Sequence, residues 1–337
     1  MIKLLKVFEI PKNIKNKDLK INFFPPWVES KWFTFLENYS KYKFYIIEVY
    51  KKNTLIGFIP IFETKKLFFK LAGSPLPGTF TPYLGFLPIS NFTTFSNNFF
   101  FELLEEIKKI FKNYSFFQII FSPDLSDRIN FLELSKNFNQ FSKFTASTYL
   151  VDIVFDEEQM WKKITSRCRN MIRKAWKNNV KIINIEPSFK ILDFYYSMLE
   201  ETLARRGIRV YHPKSFFEKL FENFYPENLL FLASEVKGKI ASMGIFLYNQ
   251  NLIEYLSGAS LSEYNKYAPN NLLHWEVIKF AIKRKIPYYD LGGRGIPSID
   301  KFKESFGGKI VKYHGFKFSS FSFEAAFKIY KKFQKLF

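Results

Sequence analysis

Cysteine is almost absent from this chain. The single thiol, Cys168, excludes an internal disulfide and any cysteine-cluster metal site. Histidine is nearly as scarce. His212, His274 and His314 share no metal-ligand spacing, so no metal centre is expected. No apolar run reaches the roughly 18–20 residues that cross a bilayer. The opening MIKLLKVFEI is too short, and too soon followed by charge, for a secretory signal. The expected location is therefore cytoplasmic, with the inner face of the membrane as a peripheral variant. No Ser-His-Asp or Cys-His constellation is visible, which agrees with chemistry that forms no covalent enzyme intermediate. Short-period repeats, heptad arrays and low-complexity linkers are also missing.

What remains is a well-filled globular composition. A chain of 337 residues is too long for one ordinary core and suits two domains. Its 47% hydrophobic content excludes disorder. The 44 phenylalanines go with many Lys, Asn and Ile and read as compositional bias. A formal charge of +20, from 51 basic against 31 acidic residues, draws polyanions such as RNA, nucleotide diphosphates and anionic headgroups. It equally describes a lysine-rich solvated surface.

Periodicity places a helix over 31–41, then strands over 42–50 and 55–61 turned by Lys51-Lys52-Asn53. The Pro- and Gly-rich stretch 73–88 reads as an ordered loop. Phe100, Leu103, Leu104, Ile107, Ile110 and Phe111 recur at helical spacing, and 116–121 is a buried strand. A strand over 149–155 precedes Asp156, which caps one helix with the stripe Trp161, Ile164, Cys168, Met171, Ile172 and Ala175. Strand 180–185, a helix over 189–206 stopped by Gly207, and a helix from Pro213 follow. Lys237-Gly238-Lys239 turns a hairpin between strands 229–236 and 240–248. The segment 252–308 is richest in chemistry. It runs through an aromatic strand, a polar turn, an amphipathic helix and a short strand ending Asp-Leu-Gly-Gly. Tyrosines, carboxamides, a carboxylate and a lysine thus stand at element ends, where ligand sites are built.

The run Trp161–Val180 (WKKITSRCRNMIRKAWKNNV) opens a series of ordered motifs. Thr202, Arg205 and Gly207 come next, then Ala259-Ser260, then Asn270, Leu272, Leu273 and Trp275. Tyr289-Asp290-Leu291-Gly292-Gly293 and Phe302-Lys303 complete the series. Together these resemble the FemABX-type aminoacyl transferases and related acyltransferases of the GNAT fold. Gly57-Phe58-Ile59-Pro60 and Tyr83-Leu84-Gly85-Phe86 resemble the degenerate first domain of that group. The resemblance implies an α/β (α+β) fold with two tandem GNAT-like domains, each a mixed twisted sheet flanked by helices. Residues 1–148 would form the degenerate domain, 149–320 the transferase domain and 321–337 a terminal basic-aromatic helix.

It also implies N-acyl transfer without a bound cofactor, from aminoacyl-tRNA to an amine of a nucleotide- or lipid-linked cell-wall (peptidoglycan) precursor. The helical-hairpin arm of some members is lacking. An acyl-CoA donor, acting on an amino sugar or surface polysaccharide precursor, is the alternative. Against it, Tyr267-Ala268-Pro269-Asn270-Asn271 lacks the glycines that let backbone amides cradle a pyrophosphate. A non-catalytic RNA- or membrane-binding protein on a decayed scaffold is the third reading.

Aminolysis of an ester or thioester needs a placed carbonyl, a neutral amine and stabilisation of the developing oxyanion. Lys303, matching the lysine that the family implicates at the transfer site, is the candidate for stabilisation, against a surface lysine beside Phe302. Asp290 would orient the amine or take its proton, or else cap loop amides. Glu254 and Glu304 are weaker general-base candidates. Gly292 and Gly293 allow close approach of a ligand to the backbone. Tyr255, Tyr264 and Tyr267 are candidates to bond a carbonyl or lie along a peptide, with packing as the rival role. Asn271 would present its amide or cap a helix. Arg205, Arg209 and Tyr211 resemble the acceptor-phosphate region, where a guanidinium grips diphosphate. Arg167, Arg169 and Arg173 would guide tRNA or a nucleotide, or form a solvated face. Cys168, His274 and His314 read as core. Ala325–Phe337 alternates aromatic and basic residues, fitting either a packed helix or contact with an anionic membrane surface.

Overall fold

Two parallel strand pairs, each with a helix between its strands in sequence, organise the described residues. The computed structural model describes residues 2–7, 25–40, 42–89, 95–130, 133–134 and 141–336. Two compact units emerge. The first comprises residues 1–23, 27–146 and 312–337, the second residues 24–26 and 147–311.

In the first unit, β1 (Ile2–Val7), β2 (Lys43–Lys51), β3 (Thr54–Lys66) and β4 (Phe69–Ser74) run antiparallel to their neighbours. Helix α1 (Ser30–Ser40) precedes β2, and the short β5 (Leu87–Pro88) pairs with β3. Helix α2 (Asn97–Phe111) leads to β6 (Phe116–Ile120), which lies parallel to β4. Ser96 caps α2 through Phe99 N–H, and its Phe99, Phe100, Leu103, Leu104, Ile107 and Phe111 face the core. A short helix, α3 (Pro123–Arg128), follows.

The second unit orders its strands β7-β12-β11-β10-β9-β8. They are β7 (Ser142–Asp152), β8 (Lys181–Asn184), β9 (Leu229–Val236), β10 (Lys239–Tyr248), β11 (Leu252–Ser260) and β12 (Tyr288–Gly293). Only β11 and β12 pair in parallel, with α8 (Pro269–Arg284) between them in sequence. The buried face of α8 carries Leu272, Leu273, Trp275, Val277, Ile278 and Ala281 onto this sheet.

Three differences from the sequence expectations have physical causes. The helix expected after Asp156 is two, α4 (Glu157–Lys163) and α5 (Ser166–Lys177). Ile164 leaves helical geometry at ψ 152°, and the Thr165 hydroxyl accepts from Cys168 N–H to start α5 afresh. The apolar stripe runs through both, so periodicity alone misses the break. Second, the stretch around Phe69 forms β4, whose pairing with β6 is non-local. Third, β13 (Lys309–Ser319) pairs Gly315–Ser319 with Ile120–Phe116 of the first unit. Residues 312–337, including the terminal helix α10 (Phe321–Leu336), group with the first unit, and the second unit closes at Val311, where the sequence reading carried the second domain to 320. Helices α6 (Phe189–Ala204), α7 (Lys214–Phe224) and α9 (Pro297–Ser305) complete the second unit. Gly207, at φ 67°, ends the turn after α6.

Candidate active site

Strands β11 and β12 pair at only three positions, Leu252 with Tyr288, Ile253 with Tyr289 and Glu254 with Asp290. Beyond Glu254, β11 pairs with β10 alone, and a register shift leaves Leu256 as an extra residue in that ladder. Beyond Asp290, β12 turns to β7, meeting Thr148 at Gly293. The parallel pair therefore opens into a fork whose last paired rung is two carboxyl groups.

Both carboxyls are buried. Asp290 is fully enclosed, and Glu254 is 7% exposed. Asp290 Oδ1 accepts from the Thr148 hydroxyl and, at 2.8 Å, from Gly292 N–H. Asp290 Oδ2 and Glu254 Oε2 have no hydrogen-bond partner among the described residues. Burial pushes the Asp290 carboxyl up to about 6, opposed by its two hydrogen bonds and by Lys303. Glu254 lies well above the usual carboxylate range, through burial and then repulsion by Asp290.

Lys303 supplies the compensating charge from α9. It is 7% exposed, and its Nζ donates to Gly292 O at 3.0 Å and Gly293 O at 2.5 Å. Burial lowers its pKa against the pull of Asp290, Asp300 and Glu254. The surface-lysine alternative is excluded. Gly292 has φ +80°, which turns its carbonyl into this arrangement and disfavours a side chain.

Tyr255 stands next to this rung. Its ring stacks on Phe246 at 5.4 Å and meets His274 edge-on at 4.7 Å. Burial pushes the Tyr255 phenol up to about 12, while Arg206 pulls it down. The enclosed His274 bonds Tyr289 Oη through Nδ1 at 2.6 Å. Burial and then Lys303 push His274 down to about 3, so it is neutral. A Cβ at Gly258 would lie 2.0 Å from Tyr255 Oη. Gly258→Ala is therefore expected to displace the Tyr255 ring and cut turnover by an order of magnitude or more, costing about 1–3 kcal/mol of stability. Steady-state kinetics beside a thermal melt checks this.

Lys303, Asp290, Gly292, Gly293 and Tyr255 thus gather at the fork. The other sequence candidates stand elsewhere. Arg205 reaches Ser260 O at 2.6 Å and Glu201 Oε1 at 2.5 Å, so it clamps the far end of β11 together with Thr202. Arg209 is exposed in the loop after α6, and Tyr211 is 71% exposed there against His212. Tyr264 is half-buried, its ring 6.4 Å from that of Tyr267. Asn271 neighbours the buried Cys168 thiol, which burial pushes up to about 11, against the pull of Ser305 and Asn271, and makes inert. Arg169 caps the carbonyls of Trp161, Lys162 and Ile164 at the end of α4. Arg173 lies 5.4 Å over the Trp161 ring, and Arg167 is exposed. Glu304 bonds Tyr149 Oη at 3.0 Å.

Sequence reading underrated Glu254 and left out Thr148 and Arg206. The signal for Glu254 was available, since it is the one charge inside the apolar strand LIEYLSGAS. The parallel pair of the first unit has no such set. Its β4 and β6 read FKLAGS and FFQII, without a carboxylate. No group of three or more His, Cys, Asp or Glu side chains able to hold a metal occurs among the described residues.

Comparisons with known proteins bear on the fold that carries this site. Residues 166–304 match the family model described as Acetyltransferase (GNAT) domain. No curated protein sequence matches the chain. Among solved structures, FemX superposes with TM-score 0.60 at 13% identity, covering 85% of this chain and 90% of FemX. A tandem GNAT protein from the clavulanic acid biosynthesis pathway gives 0.55 at 9% identity, covering 94% and 98%. L-PGS from Bacillus licheniformis gives 0.51 at 12%, covering 88% and 93%. At these identities the likeness is one of fold. Family model and fold together make residues 166–304 an acyltransferase domain of the GNAT type.

Proposed function

We propose that the second unit transfers an aminoacyl group from the ester of aminoacyl-tRNA to an amine on a cell-wall precursor. The observation that carries the reading is the buried rung of Glu254, Asp290 and Lys303 at the mouth of the β11–β12 fork. An amine attacks the ester carbonyl, the new C–N bond forms, the ester C–O bond breaks, and the ribose oxygen leaves as a hydroxyl, taking up the proton that the amine gives up through Asp290. Lys303 has three N–H donors, two of them spent on Gly292 O and Gly293 O. The third serves the oxygen that gains charge in the transition state. Asp290 Oδ2, which lacks a hydrogen bond, takes the proton released by the amine. His274, pushed down to about 3 by burial and then Lys303, is neutral and does not compete for that proton.

The N-terminus of α8 supports an ester donor over acyl-CoA. Pro269 has no N–H, and the Asn271 and Leu272 amides both turn back to Ala268 O, at 3.1 and 3.5 Å. Only Asn270 N–H is left where a pyrophosphate would need several donors. The exposed Arg209 and Tyr211 are the acceptor-side candidates, and Arg167 a contact for the tRNA. FemX among the neighbours of this fold is consistent with aminoacyl transfer.

The test is a donor screen. Purified protein is incubated with labelled aminoacyl-tRNA or acyl-CoA and an amine-bearing precursor, and acyl loss is followed. Amine-dependent consumption of the tRNA ester is expected. Consumption of the thioester with the tRNA ester intact would sink the donor assignment and favour the acyl-CoA reading.

A further inference from the structure

Among the described residues, two-residue hairpin loops join β2 to β3 and β3 to β4 in the first unit and β9 to β10 in the second, and one breaks the pattern of the others. The β2–β3 loop is Lys52-Asn53, with φ 49° and 64°, and the β9–β10 loop of the second unit is Lys237-Gly238, with φ 52° and 76°. Both use residues suited to left-handed backbone and to water. The β3–β4 loop, between paired Lys66 and Phe69, is Leu67-Phe68. Leu67 takes φ 55°, where a branched apolar residue is disfavoured, and Leu67 and Phe68 are 84% and 74% exposed. Phe68 touches the Phe69 ring at 4.2 Å yet keeps most of its surface in water, so packing within the chain does not account for a choice that backbone preference and hydration both oppose.

A second exposed ring sits at the same end of the sheet. β4 begins beside β6, and β6 beside the end of β13. Ser115 N–H bonds Lys70 O at 2.8 Å, and Ser320 N–H bonds Ser115 O at 2.8 Å. That chain of bonds fixes the start of α10 near the hairpin. Phe323 packs on Phe69 at 5.3 Å and Phe116 at 5.5 Å, which leaves Phe321 outside at 91% exposure. Around these three apolar side chains lie the exposed Lys65, Lys66, Lys70 and Lys328. The half-buried Glu324 is the acid on the described part of α10.

We propose that this end of the first unit docks on an anionic phospholipid bilayer, with Leu67, Phe68 and Phe321 inserted among the lipids and the lysines on the headgroups. Apolar tips ringed by ammonium groups match an interface that is apolar below and negative above. A nucleic-acid surface would want stacking rings in a basic groove, and an exposed leucine at a tip gains nothing from it. No helix among the described residues is long and apolar enough to cross a membrane, so this contact is peripheral. The inference concerns the first unit and stands apart from the transfer reaction.

Sedimentation of the full chain with vesicles tests it without any donor or acceptor. Binding is expected to vesicles of phosphatidylcholine mixed with phosphatidylglycerol, and to be weak with phosphatidylcholine alone. Leu67→Ser with Phe68→Ser should weaken it by about tenfold or more, and Phe321→Ser should add to that. Each of Lys65→Gln, Lys66→Gln and Lys70→Gln should cost roughly fivefold at low salt. Because all these residues are exposed, circular dichroism and melting should be unchanged. In a Phe68→Trp variant, tryptophan emission should shift to the blue on adding anionic vesicles. Absence of vesicle binding, or binding unaltered in the Leu67/Phe68 variant, overturns the proposal. So does loss of tRNA binding in that variant with vesicle binding intact.

Discussion

Lys303→Ala is expected to reduce turnover by about 10²- to 10³-fold, the range found when one donor to a developing oxyanion is removed. It is also expected to destabilise the second unit by about 3–5 kcal/mol, because a buried charge is removed from beside partners that remain. The two effects share a cause. Lys303 Nζ ties the Gly292 and Gly293 carbonyls to α9, and its charge acts on Asp290, Glu254 and His274 together. Without it, two carbonyls lose their donor, and the carboxyl pair loses the positive charge that opposes its protonation. Turnover must therefore be measured per folded molecule, with circular dichroism giving the folded fraction at the assay temperature. Lys303→Met keeps most of the stem and should recover part of the stability but none of the rate. A folded Lys303→Met protein with the wild-type rate would remove Lys303 from the chemistry and leave it a strut for the β12 bulge.

Much of the second unit was legible because its signals are local. Gly207, Lys237-Gly238 and the cap at Asp156 mark their boundaries through backbone chemistry that acts within a few residues. Asp290 and Lys303 could be singled out for their position beside a glycine pair, and the GNAT-type fold expected from the ordered motifs is the one observed. What sequence could not supply is depth and pairing. Lys303 looks exposed in FKESFGG, yet α9 carries its ammonium under the Gly292 and Gly293 carbonyls. Glu254 becomes interesting only through its register with Asp290, a contact 36 positions away that strand patterning does not encode. The positions of Arg169 and Arg205 likewise follow from contacts that form only in the folded chain. Arg169 and Arg205 spend their guanidinium groups on backbone carbonyls that become acceptors only once α4 ends and β11 reaches Ser260. The place of β13 in the first sheet is non-local in the same sense, since its partner β6 lies nearly 200 residues earlier.

Asp290→Asn is expected to abolish most turnover and, at the same time, to flatten the dependence of stability on pH. The wild-type carboxyl sits at about 6 in the folded protein against an ordinary value near 3.8. The folded state therefore holds its proton to higher pH than the unfolded chain does. Between about pH 4 and pH 6 folding takes up a proton, so stability falls as pH rises, by about 3 kcal/mol across the window. Glu254, also raised by burial and then by Asp290, adds a fall of the same sign. Lys303, whose pKa is lowered, acts in the opposite sense and only on the alkaline side, where stability gains as pH rises toward the lysine's ordinary range. Denaturant titrations from pH 4 to pH 8 should show the wild type most stable at the acid end of that range, and Asp290→Asn with a shallower fall, the part that Glu254 still contributes. The amide oxygen of asparagine can still accept from Thr148 and Gly292, so the bulge is kept. Its amide nitrogen cannot take a proton. The rate of the wild type should rise with pH through about 6 as Asp290 ionises, and the variant should lose about 10²- to 10⁴-fold with that limb absent. A variant that keeps both the limb and the rate would place the proton acceptor elsewhere. Glu254→Gln would then be the decisive substitution, because Glu254 Oε2 is the other buried carboxyl oxygen without a partner at the rung.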